Sequence, residues 1–311
     1  MKKKVIITGG SGLLGSAFKK IKSQFNFIFL TSKHADLTDY KKSKEVFKKH
    51  NPDYVIHLAA YVGGLFKNMK NNVEMYENNM LINLNVLKIC HELNINKIIC
   101  CLSTCIFPDN IKYPINETQL HDGSPHTSNY GYSYAKRMLE VQCELYNKQY
   151  NRKYICIIPT NIYGEHDNYS LIDGHVIPAL IHKCYLSKKN NKPFVVYGTG
   201  KPLRQFIYSV DLAKLIMIVL NNYQETTPII LSTNKEDEVS IKYVAELIHT
   251  LFENKNPILF DESFSDGQYK KTADNNKLKK LIKDFNFTSI NKGLRNTIEW
   301  FIQNYTNNIR L

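Results

Sequence analysis

Near its N-terminus the chain reads Val5-Ile6-Ile7-Thr8-Gly9-Gly10-Ser11-Gly12-Leu13-Leu14-Gly15. A β-branched run is followed there by a glycine turn and then by the apolar positions that begin an amphipathic helix. The first glycines allow a tight turn and a close approach to a pyrophosphate, which N–H groups at a helix N-terminus hold. The third glycine lets the helix pack closely on the strand. This context predicts that a dinucleotide binds here, with Ser11, Leu13 and Leu14 beside the glycines.

The first half of the chain alternates continuously apolar runs with amphipathic stretches. Strands are expected at Val5–Thr8, Phe27–Leu30, Tyr54–Leu58, Lys97–Leu102 and Tyr154–Pro159, and helices at Leu13–Gln24, Lys41–Lys49, Val73–Leu93 and Tyr132–Tyr150. Apolar strands that are separated by helices indicate a parallel sheet covered on both faces. We therefore predict an α/β fold with a Rossmann-type, doubly wound parallel sheet.

After about Gly164 the alternation loosens, and a smaller αβ domain that binds the substrate is expected. We expect residues 1–165 to form the cofactor-binding Rossmann domain and 166–311 to form mainly the substrate-binding domain, with the chain re-entering the first around 205–235. Helices are expected at His175–Leu186, Val210–Leu220, Ile241–Phe252 and Lys292–Tyr305, and short strands at Phe194–Tyr197 and Ile258–Phe260.

The identity of the dinucleotide depends on the tip of the second strand. If that strand ends at Leu30, the tip reads Thr31-Ser32-Lys33, whose cation and hydroxyls suit the 2′-phosphate of NADPH. Asp36 is the competing candidate, because a later register would place its carboxylate near the ribose hydroxyls of NAD. The sequence favours NADPH, with Lys33, Asp36 and Leu37 as candidate contacts.

The charge of the chain indicates an anionic partner. The formal net charge is +13, from 41 Lys and Arg against 28 Asp and Glu, a balance that many nucleic-acid-binding proteins share. The positive charge is almost all lysine, however, and the readout of base edges favours the planar guanidinium of arginine. We therefore expect small nucleotides rather than nucleic acid as partners.

The sequence contains neither a membrane span nor a cysteine framework. No apolar run approaches the ~20 residues that a membrane span needs, and Val5–Ile7 is too short for the core of a signal peptide. The seven cysteines are odd in number and form no Cys-x-x-Cys pair, which argues against disulfides and zinc. We expect a cytoplasmic protein without a membrane partner or a bound metal.

A second motif carries acid–base chemistry. Tyr132-Ser133-Tyr134-Ala135-Lys136 places Tyr132 and Lys136 one helical turn apart on the same face. An ammonium beside a phenol favours the phenolate, so we expect Lys136 to lower the pKa of Tyr132. Ser103 follows the predicted fourth strand, at the edge where open parallel sheets bind ligands. It is expected to hold the reacting oxygen while Tyr132 moves the proton.

The glycine turn, Ser103 and the Tyr132/Lys136 pair together resemble the extended short-chain dehydrogenase/reductase family. Its members include sugar-nucleotide epimerases, dehydratases and reductases. Further stretches resemble the branch that converts GDP-4-keto-6-deoxy-D-mannose to GDP-L-fucose, by NADPH-dependent 3,5-epimerisation and 4-reduction. These stretches are Leu58-Ala59-Ala60, Val62-Gly63-Gly64, Leu102-Ser103-Thr104-Cys105-Ile106-Phe107-Pro108, Pro159-Thr160-Asn161-Ile162-Tyr163-Gly164, His166-Asp167-Asn168, Gly174-His175-Val176-Ile177-Pro178-Ala179-Leu180, Arg204-Gln205-Phe206-Ile207-Tyr208 and Ser265-Asp266-Gly267-Gln268. The resemblance spans essentially the whole chain.

The resemblance implies catalytic roles for Cys105 and His175, which would exchange the protons at C3 and C5 of the keto sugar. Cys105 stands two residues after Ser103, so an extended segment would place both side chains on one side. A proton next to a ketone is acidified because an enolate forms, and a thiolate is a competent base. His175 would also contact the cofactor. Other cofactor contacts implied in this way are Ala59, Leu102, Lys136, Pro159, Thr160, Asn161 and Ile162.

The resemblance also implies a binding site for the GDP-sugar. Lys183 and Arg204 would bind the diphosphate, for which the arginine fork is suited. Asp266 and Lys271 match the family's late substrate segment. Tyr197 stands where some members carry a tryptophan stacked on guanine, and it keeps an aromatic face there.

Two alternatives remain open at this point. The nearer one is a GDP-mannose 4,6-dehydratase or a UDP-sugar 4-epimerase of the same family, although Thr104-Cys105 stands where dehydratases carry acidic residues. The other is a catalytically inactive scaffold that binds nucleotides or RNA through its lysines. The intact set of Ser103, Tyr132 and Lys136 argues against such a scaffold.

A homodimer is a further implication of the resemblance. Its interface would be a bundle of the helices Val73–Leu93 and Tyr132–Tyr150 from each copy. These helices carry suitable apolar positions at Met80, Leu81, Leu84, Met138 and Val141.

Overall fold

The computed structural model of the chain describes residues 2–307 and 309–311. Its strands are β1 (Lys4–Thr8), β2 (Asn26–Leu30), β3 (Tyr54–His57), β4 (Lys97–Cys101), β5 (Lys153–Pro159), β6 (Asn161–Tyr163), β7 (Phe194–Tyr197), β8 (Leu203–Tyr208), β9 (Ile229–Leu231), β10 (Glu238–Ser240) and β11 (Ile258–Asp261). Its α-helices are α1 (Leu13–Ala17), α2 (Tyr40–His50), α3 (Leu65–Lys70), α4 (Asn72–Glu92), α5 (Tyr130–Tyr150), α6 (Val176–Asn190), α7 (Ser209–Asn222), α8 (Ile241–Leu251), α9 (Asn276–Leu281) and α10 (Ile290–Asn304).

The central sheet is parallel and has the strand order β2-β1-β3-β4-β5-β9. Its inner strands are continuous apolar runs because helices cover both faces. One face packs against α2, α4 and α5 around Phe47 and Leu87, and the other packs against α1 and α7 around Leu14 and Leu215. The predicted α/β fold with a Rossmann-type, doubly wound sheet is confirmed.

The strand order places a crevice at the carboxyl end of β1. This strand lies between β2 and β3, so the loops that leave β1 and β3 run to opposite sides. In open α/β sheets ligands bind in such a crevice. The glycine turn follows β1, Leu58–Ala60 follows β3, and Ser103 follows β4 at the same edge.

Most of the chain beyond Gly164 forms a second body of structure with its own core. The short sheets β10-β8-β6 and β11-β7 pack with α6, α8 and α10 around Tyr163, Phe194, Val244 and Phe301. Strand β9 returns to the central sheet beside β5, and α7 packs on that sheet. The division into a cofactor domain and a substrate domain at residue 165 stays a prediction.

Several elements differ from the expected ones. The helix expected over Leu13–Gln24 is too long, since α1 ends at Ala17 and a 3₁₀ turn at Phe18–Lys20 follows it. Ile21 is extended (φ −101°, ψ 141°) because the chain turns back there towards β2. Strands β6, β8 and β10 and helices α3 and α9 lie outside the expected elements. Within the part of the chain described, no helix is both long enough and apolar enough to cross a membrane.

Candidate active site

The glycine turn forms a tight cradle between β1 and α1. Gly9 has a positive φ of +69°, and the Gly12 amide donates to its carbonyl oxygen at 3.0 Å. A Cβ on Gly15 would clash with that same carbonyl, whereas a Cβ on Gly12 would meet only ordinary contacts. Gly12 is the N-cap of α1, and no side chain caps this helix start. The cradle therefore fits the pyrophosphate of a dinucleotide.

The tip of β2 lies beside this cradle. The Gly10 amide donates to the Leu30 carbonyl oxygen at 2.8 Å, so the strand ends where the sequence predicts. Lys33 is exposed at the tip. The Asp36 carboxylate accepts from the Thr38 amide at 2.9 Å and from its hydroxyl at 2.8 Å. Both hydrogen bonds use Oδ1 of Asp36, whereas the exposed Lys33 cation is the group at this tip that suits a 2′-phosphate.

A buried network of hydrogen bonds, which was not expected from the sequence, supports the crevice. The Thr8 hydroxyl contacts His57 Nδ1 at 2.8 Å and accepts from the Ala59 amide at 3.1 Å. His57 Nε2 lies 3.1 Å from Asn83 Oδ1. Desolvation and the nearby Lys136 ammonium lower the pKa of His57 to about 3, so its ring is neutral. The sequence signal for this network was His57 itself, a histidine at the end of a buried apolar strand.

The remaining predicted cofactor positions lie at the same edge of the sheet. Leu102 is buried directly after β4, and Pro159 is the last residue of β5. Thr160 follows, and its hydroxyl is buried without a hydrogen-bond partner among the described residues. Asn161 and Ile162 belong to β6 and are partly exposed.

Tyr132 and Lys136 lie in the first turns of α5, beside the end of β4. Lys136 Nζ lies 5.8 Å from the centre of the Tyr132 ring and donates to the Cys101 carbonyl oxygen at 2.8 Å. The Ser103 hydroxyl accepts from the Cys105 amide at 3.4 Å. The structure therefore brings these four predicted catalytic side chains together at the carboxyl end of β4.

The pKa of Tyr132 is raised, and the expectation that Lys136 lowers it is wrong. Desolvation is the largest cause, and the proximity of the Cys105 and Cys101 thiols adds to it. The Lys136 ammonium is directed at a carbonyl oxygen, and desolvation lowers its own pKa. A raised pKa keeps the Tyr132 phenol protonated, which suits a proton donor.

Cys105 lies in a 3₁₀ turn over Thr104–Ile106, not in the extended segment expected from the sequence. Two side chains of helix α5 hold this turn in place. The Ser133 hydroxyl donates to the Cys105 carbonyl at 2.9 Å, and Arg137 Nε donates to the Ile106 carbonyl at 2.6 Å. Both donors are buried. Their positions beside the Tyr132 motif are the single sequence signal that points to these two residues.

His175 is the N-cap of α6, and its side chain is half exposed. Its Nδ1 lies 3.6 Å from a carboxylate oxygen of the buried Asp167. Desolvation lowers the pKa of His175, but Asp167 raises it by more, so the net pKa lies above the usual value. Among the described residues, His175 makes no hydrogen bond or ion pair with Cys105 or Tyr132.

Lys183 and Tyr197 contact each other. Lys183 Nζ lies 2.9 Å from the centre of the Tyr197 ring, and Phe264 stacks on that ring with centroids 3.8 Å apart. The Lys183 ammonium and the Phe264 ring are too close to Tyr197 to lie on the same face of its ring. Each therefore covers one of the two faces. Desolvation lowers the pKa of Lys183 to about 8.

Arg204 and Asp266 hold the loops of the predicted substrate site. The Arg204 guanidinium donates to the Gln268 carbonyl at 2.6 Å and to the Tyr269 carbonyl at 3.3 Å. Asp266 accepts from the Thr199 amide at 2.8 Å and from its hydroxyl at 2.7 Å. Each side chain therefore already has protein partners in this structure.

Lys271 belongs to the predicted substrate segment and neighbours Cys105 of the 3₁₀ turn at Thr104–Ile106. Desolvation and the neighbouring Arg204 cation lower the pKa of Lys271 to about 8, and the Cys105 thiol opposes this. The following residue, Thr272, accepts from the Ile115 amide at 2.8 Å. The late segment thus packs against the loop that follows Cys105. Among the described residues, no group of three or more His, Cys, Asp or Glu side chains could hold a metal ion.

Comparison with known proteins places these features in one family. Residues 5–231 match the model of the NAD dependent epimerase/dehydratase family. The chain is 53% identical over 309 residues to GDP-L-fucose synthase of Dictyostelium discoideum, covering 98% of this chain and 97% of that relative. It is 32% identical over 314 residues to GDP-L-fucose synthase of Escherichia coli (strain K12), covering 97% and 98%. It also matches the crystal structure of a GDP-L-fucose synthetase from Naegleria fowleri bound to NADP, with a TM-score of 0.94, 44% identity and coverage of 99% and 95%.

Proposed function

Because this chain belongs to the NAD-dependent epimerase/dehydratase family, we propose that it is a bifunctional 3,5-epimerase/4-reductase that converts GDP-4-keto-6-deoxy-D-mannose to GDP-L-fucose. Full-length similarity to GDP-L-fucose synthases carries this proposal. The grouping of Ser103, Cys105, Tyr132 and Lys136 at one edge of the sheet supports it, because epimerisation and reduction both act around the C4 oxygen.

NADPH is the cofactor of the proposed reaction, and when bound it supplies the hydride that reduces the C4 ketone. The cradle of Gly9, Gly12 and Gly15 holds its pyrophosphate, and Lys33 faces its 2′-phosphate. Lys136 binds the nicotinamide ribose. The exposed cation of Lys33 at the tip of β2 supports this preference over NADH.

Cys105 and His175 carry out the epimerisation at C3 and C5. Each of these carbons lies next to the C4 ketone, so loss of its proton places the electron pair on the C4 oxygen as an enolate. Cys105 removes the proton from one face, and protonated His175 returns a proton to the other face, which inverts the carbon. The raised pKa of His175 supports this assignment, since it favours the imidazolium that must donate.

Ser103 and Tyr132 bind the C4 oxygen in both stages. Hydrogen-bond donors at this oxygen stabilise the enolate during epimerisation and the alkoxide during reduction. Tyr132 then donates its phenolic proton to the alkoxide. Its raised pKa supports this role, because the phenol is protonated before the reaction starts.

The second body of the molecule binds the GDP moiety. Lys183, Arg204 and Lys271 neutralise the diphosphate, with Lys271 at its sugar end because it neighbours both Arg204 and Cys105. Asp266 shapes the loop at Thr199. Tyr197 completes this site through its contact with Lys183.

The protein acts as a homodimer in this proposal. Leu81 and Leu84 on one face of α4 are 48% and 44% exposed, and Leu145 on α5 is 59% exposed. An apolar surface of this kind on two packed helices is suited to a second copy. Sedimentation that gives only the monomer mass would contradict this. The cytoplasm is the proposed location, which the seven free cysteines support.

The decisive experiment incubates the purified protein with NADPH and GDP-4-keto-6-deoxy-D-mannose. Oxidation of NADPH is followed by absorbance, and the product is identified by NMR. GDP-L-fucose is expected. A Cys105→Ser variant is expected to reduce the unepimerised ketone instead, and normal fucose formation by that variant at the wild-type rate would contradict the assignment of Cys105.

A further inference from the structure

The loop before α6 contains a buried carboxylate to which the proposed reaction gives no role. Asp167 is only 5% exposed, although a carboxylate is costly to bury unless it is paired. Its Oδ1 accepts from the Asn168 amide at 2.7 Å. Its Oδ2 is buried and has no hydrogen-bond partner among the described residues. Such a group calls for a physical explanation.

His175 lies next to this carboxylate. Its Nδ1 is 3.6 Å from Asp167 Oδ1, while its side chain is 50% exposed. One ring nitrogen therefore faces the buried carboxylate, and Nε2, on the opposite edge of the ring, has no protein partner among the described residues. The backbone of His175 is extended at the N-cap of α6 (φ −68°, ψ 167°), and its side chain does not cap the helix.

His182 in the same helix shows what a structural histidine looks like in this region. It is buried, its Nδ1 lies 2.8 Å from the Tyr169 carbonyl oxygen, and its Nε2 lies 3.3 Å from the Tyr305 hydroxyl. Both of its nitrogens thus have protein partners. His175 differs in having a carboxylate at one nitrogen and an open position at the other.

We propose that Asp167 is the positioning residue for His175: its carboxylate, with Oδ1 3.6 Å from Nδ1, pairs with the charged Nδ1–H edge, fixes the ring, and leaves Nε2 as the atom that exchanges protons with the substrate. In the delivering step, the proton leaves Nε2 for the enolate carbon. The electron pair of the enolate forms the C–H bond, and Nε2 keeps the lone pair. The reverse step returns the proton to Nε2. This inference rests on the proposed function, in which His175 acts at C3 and C5.

The charges that face His175 agree with this role. Desolvation lowers its pKa, the Asp167 carboxylate raises it, and Arg310 of the C-terminal segment lowers it. That segment packs on the same loop, since the Tyr169 amide donates to the Arg310 carbonyl at 2.8 Å. Asp167 is therefore the group that favours the imidazolium against both opposing effects.

The test replaces Asp167 by Asn, which keeps the size of the side chain and removes its charge. With NADP in place of NADPH, solvent deuterium enters the keto sugar without reduction, and its rate reports epimerisation alone. We expect this rate to fall by ~10- to 100-fold in Asp167→Asn, because positioning supplies only part of the ~10²- to 10⁴-fold that proton transfer by a placed side chain contributes. The KM for the sugar nucleotide stays unchanged, and the alkaline limb of the pH profile moves to lower pH, because the imidazolium of His175 is lost earlier as the pH rises.

Two variants serve as controls. Asp173→Asn removes another carboxylate of the same loop, whose backbone carbonyl rather than side chain contacts Gly64, and is expected to leave rate and pH profile unchanged. Asp167→Glu restores the charge and is expected to return the pH profile towards that of the wild type. In a His175→Ala background, Asp167→Asn is expected to cause no further loss, because the two residues act as a unit.

An NMR titration of the His175 ring in the substrate-free enzyme separates this inference from the proposed function. If the wild-type enzyme does not turn over the keto sugar, the proposed function fails, while the titration still reports on the pair. If Asp167→Asn leaves both the titration of His175 and the deuterium rate unchanged, the inference is wrong. A variant that only unfolds at lower temperature, with an unchanged titration, also overturns it, because Asp167 would then be purely structural.

Discussion

The lowered pKa values of Lys183 and Lys271 predict that GDP binding weakens as the pH rises above neutrality. Desolvation brings both pKa values to about 8, and the like charge of Arg204 adds to the effect at Lys271. A diphosphate binds the ammonium form of each lysine in preference to the neutral amine. The affinity is therefore nearly complete at pH 7 and below, and it is lost as the pH rises through about 8.

The size of the effect follows from the fraction of each lysine that is charged. With a pKa of about 8, roughly nine tenths of each side chain is protonated at pH 7 and roughly one tenth at pH 9. Each lysine that must be charged thus contributes up to about a tenfold loss of affinity between these two pH values. Together they contribute up to about 100-fold.

Isothermal titration calorimetry with GDP between pH 7 and pH 9 measures this directly, because no catalytic step is involved. Lys183→Arg keeps the positive charge over the whole range, so it is expected to remove one of the two contributions. Ionisation of GDP itself is common to both proteins and cancels in their difference. An identical pH dependence in the wild type and in Lys183→Arg would refute the reasoning for Lys183.

Four further variants test the catalytic residues and the glycine turn. Tyr132→Phe is expected to slow NADPH oxidation by ~10²- to 10⁴-fold and to slow deuterium exchange much less, because Ser103 still donates to the enolate oxygen whereas no other group donates the proton of reduction; equal losses in both assays would contradict this role of Tyr132. Ser133→Ala leaves the Cys105 carbonyl without its buried donor, so we expect a loss of ~1–3 kcal/mol in the free energy of unfolding and a larger loss in epimerisation than in reduction. Gly15→Ala overpacks the cradle, so its free energy of unfolding, measured by thermal denaturation, is expected to be lower by ~1–3 kcal/mol. Gly12→Ala is expected to unfold like the wild type but to bind NADPH more weakly in a fluorescence titration, and wild-type affinity would show that the pyrophosphate does not approach this glycine.

The parts of the site that the sequence predicts are those encoded in short, local patterns. The glycine turn combines a strand, a close approach of backbone and a helix start within a few residues. Tyr132 and Lys136 are one helical turn apart, so a helix alone brings them together. Ser103 needs only the carboxyl end of β4 to reach the crevice, because the sheet is parallel.

Properties that depend on tertiary burial were not predictable in this way. Tyr132 has a lysine one turn away, yet desolvation governs its pKa. Strand β8 contains Gln205, which no strand pattern favours. Its side chain is fully buried, and this burial is tolerated because the amide accepts from the Ala273 amide at 2.8 Å and donates to the Thr233 carbonyl at 3.2 Å. Both partners lie far from Gln205 in the sequence, so only the fold supplies the hydrogen bonds that allow a glutamine to be buried in this strand.

In the proposed GDP site, the covered ring of Tyr197 would make base recognition and diphosphate binding depend on one another. Guanine can stack on this ring only if Lys183 or Phe264 leaves one face. Lys183 is the flexible side chain of the two, and a diphosphate attracts its ammonium more strongly than an aromatic face does. Movement of Lys183 to the diphosphate would therefore free the ring for the base. Loss of charge on Lys183 above pH 8 removes this attraction, so the same titration weakens both contacts at once.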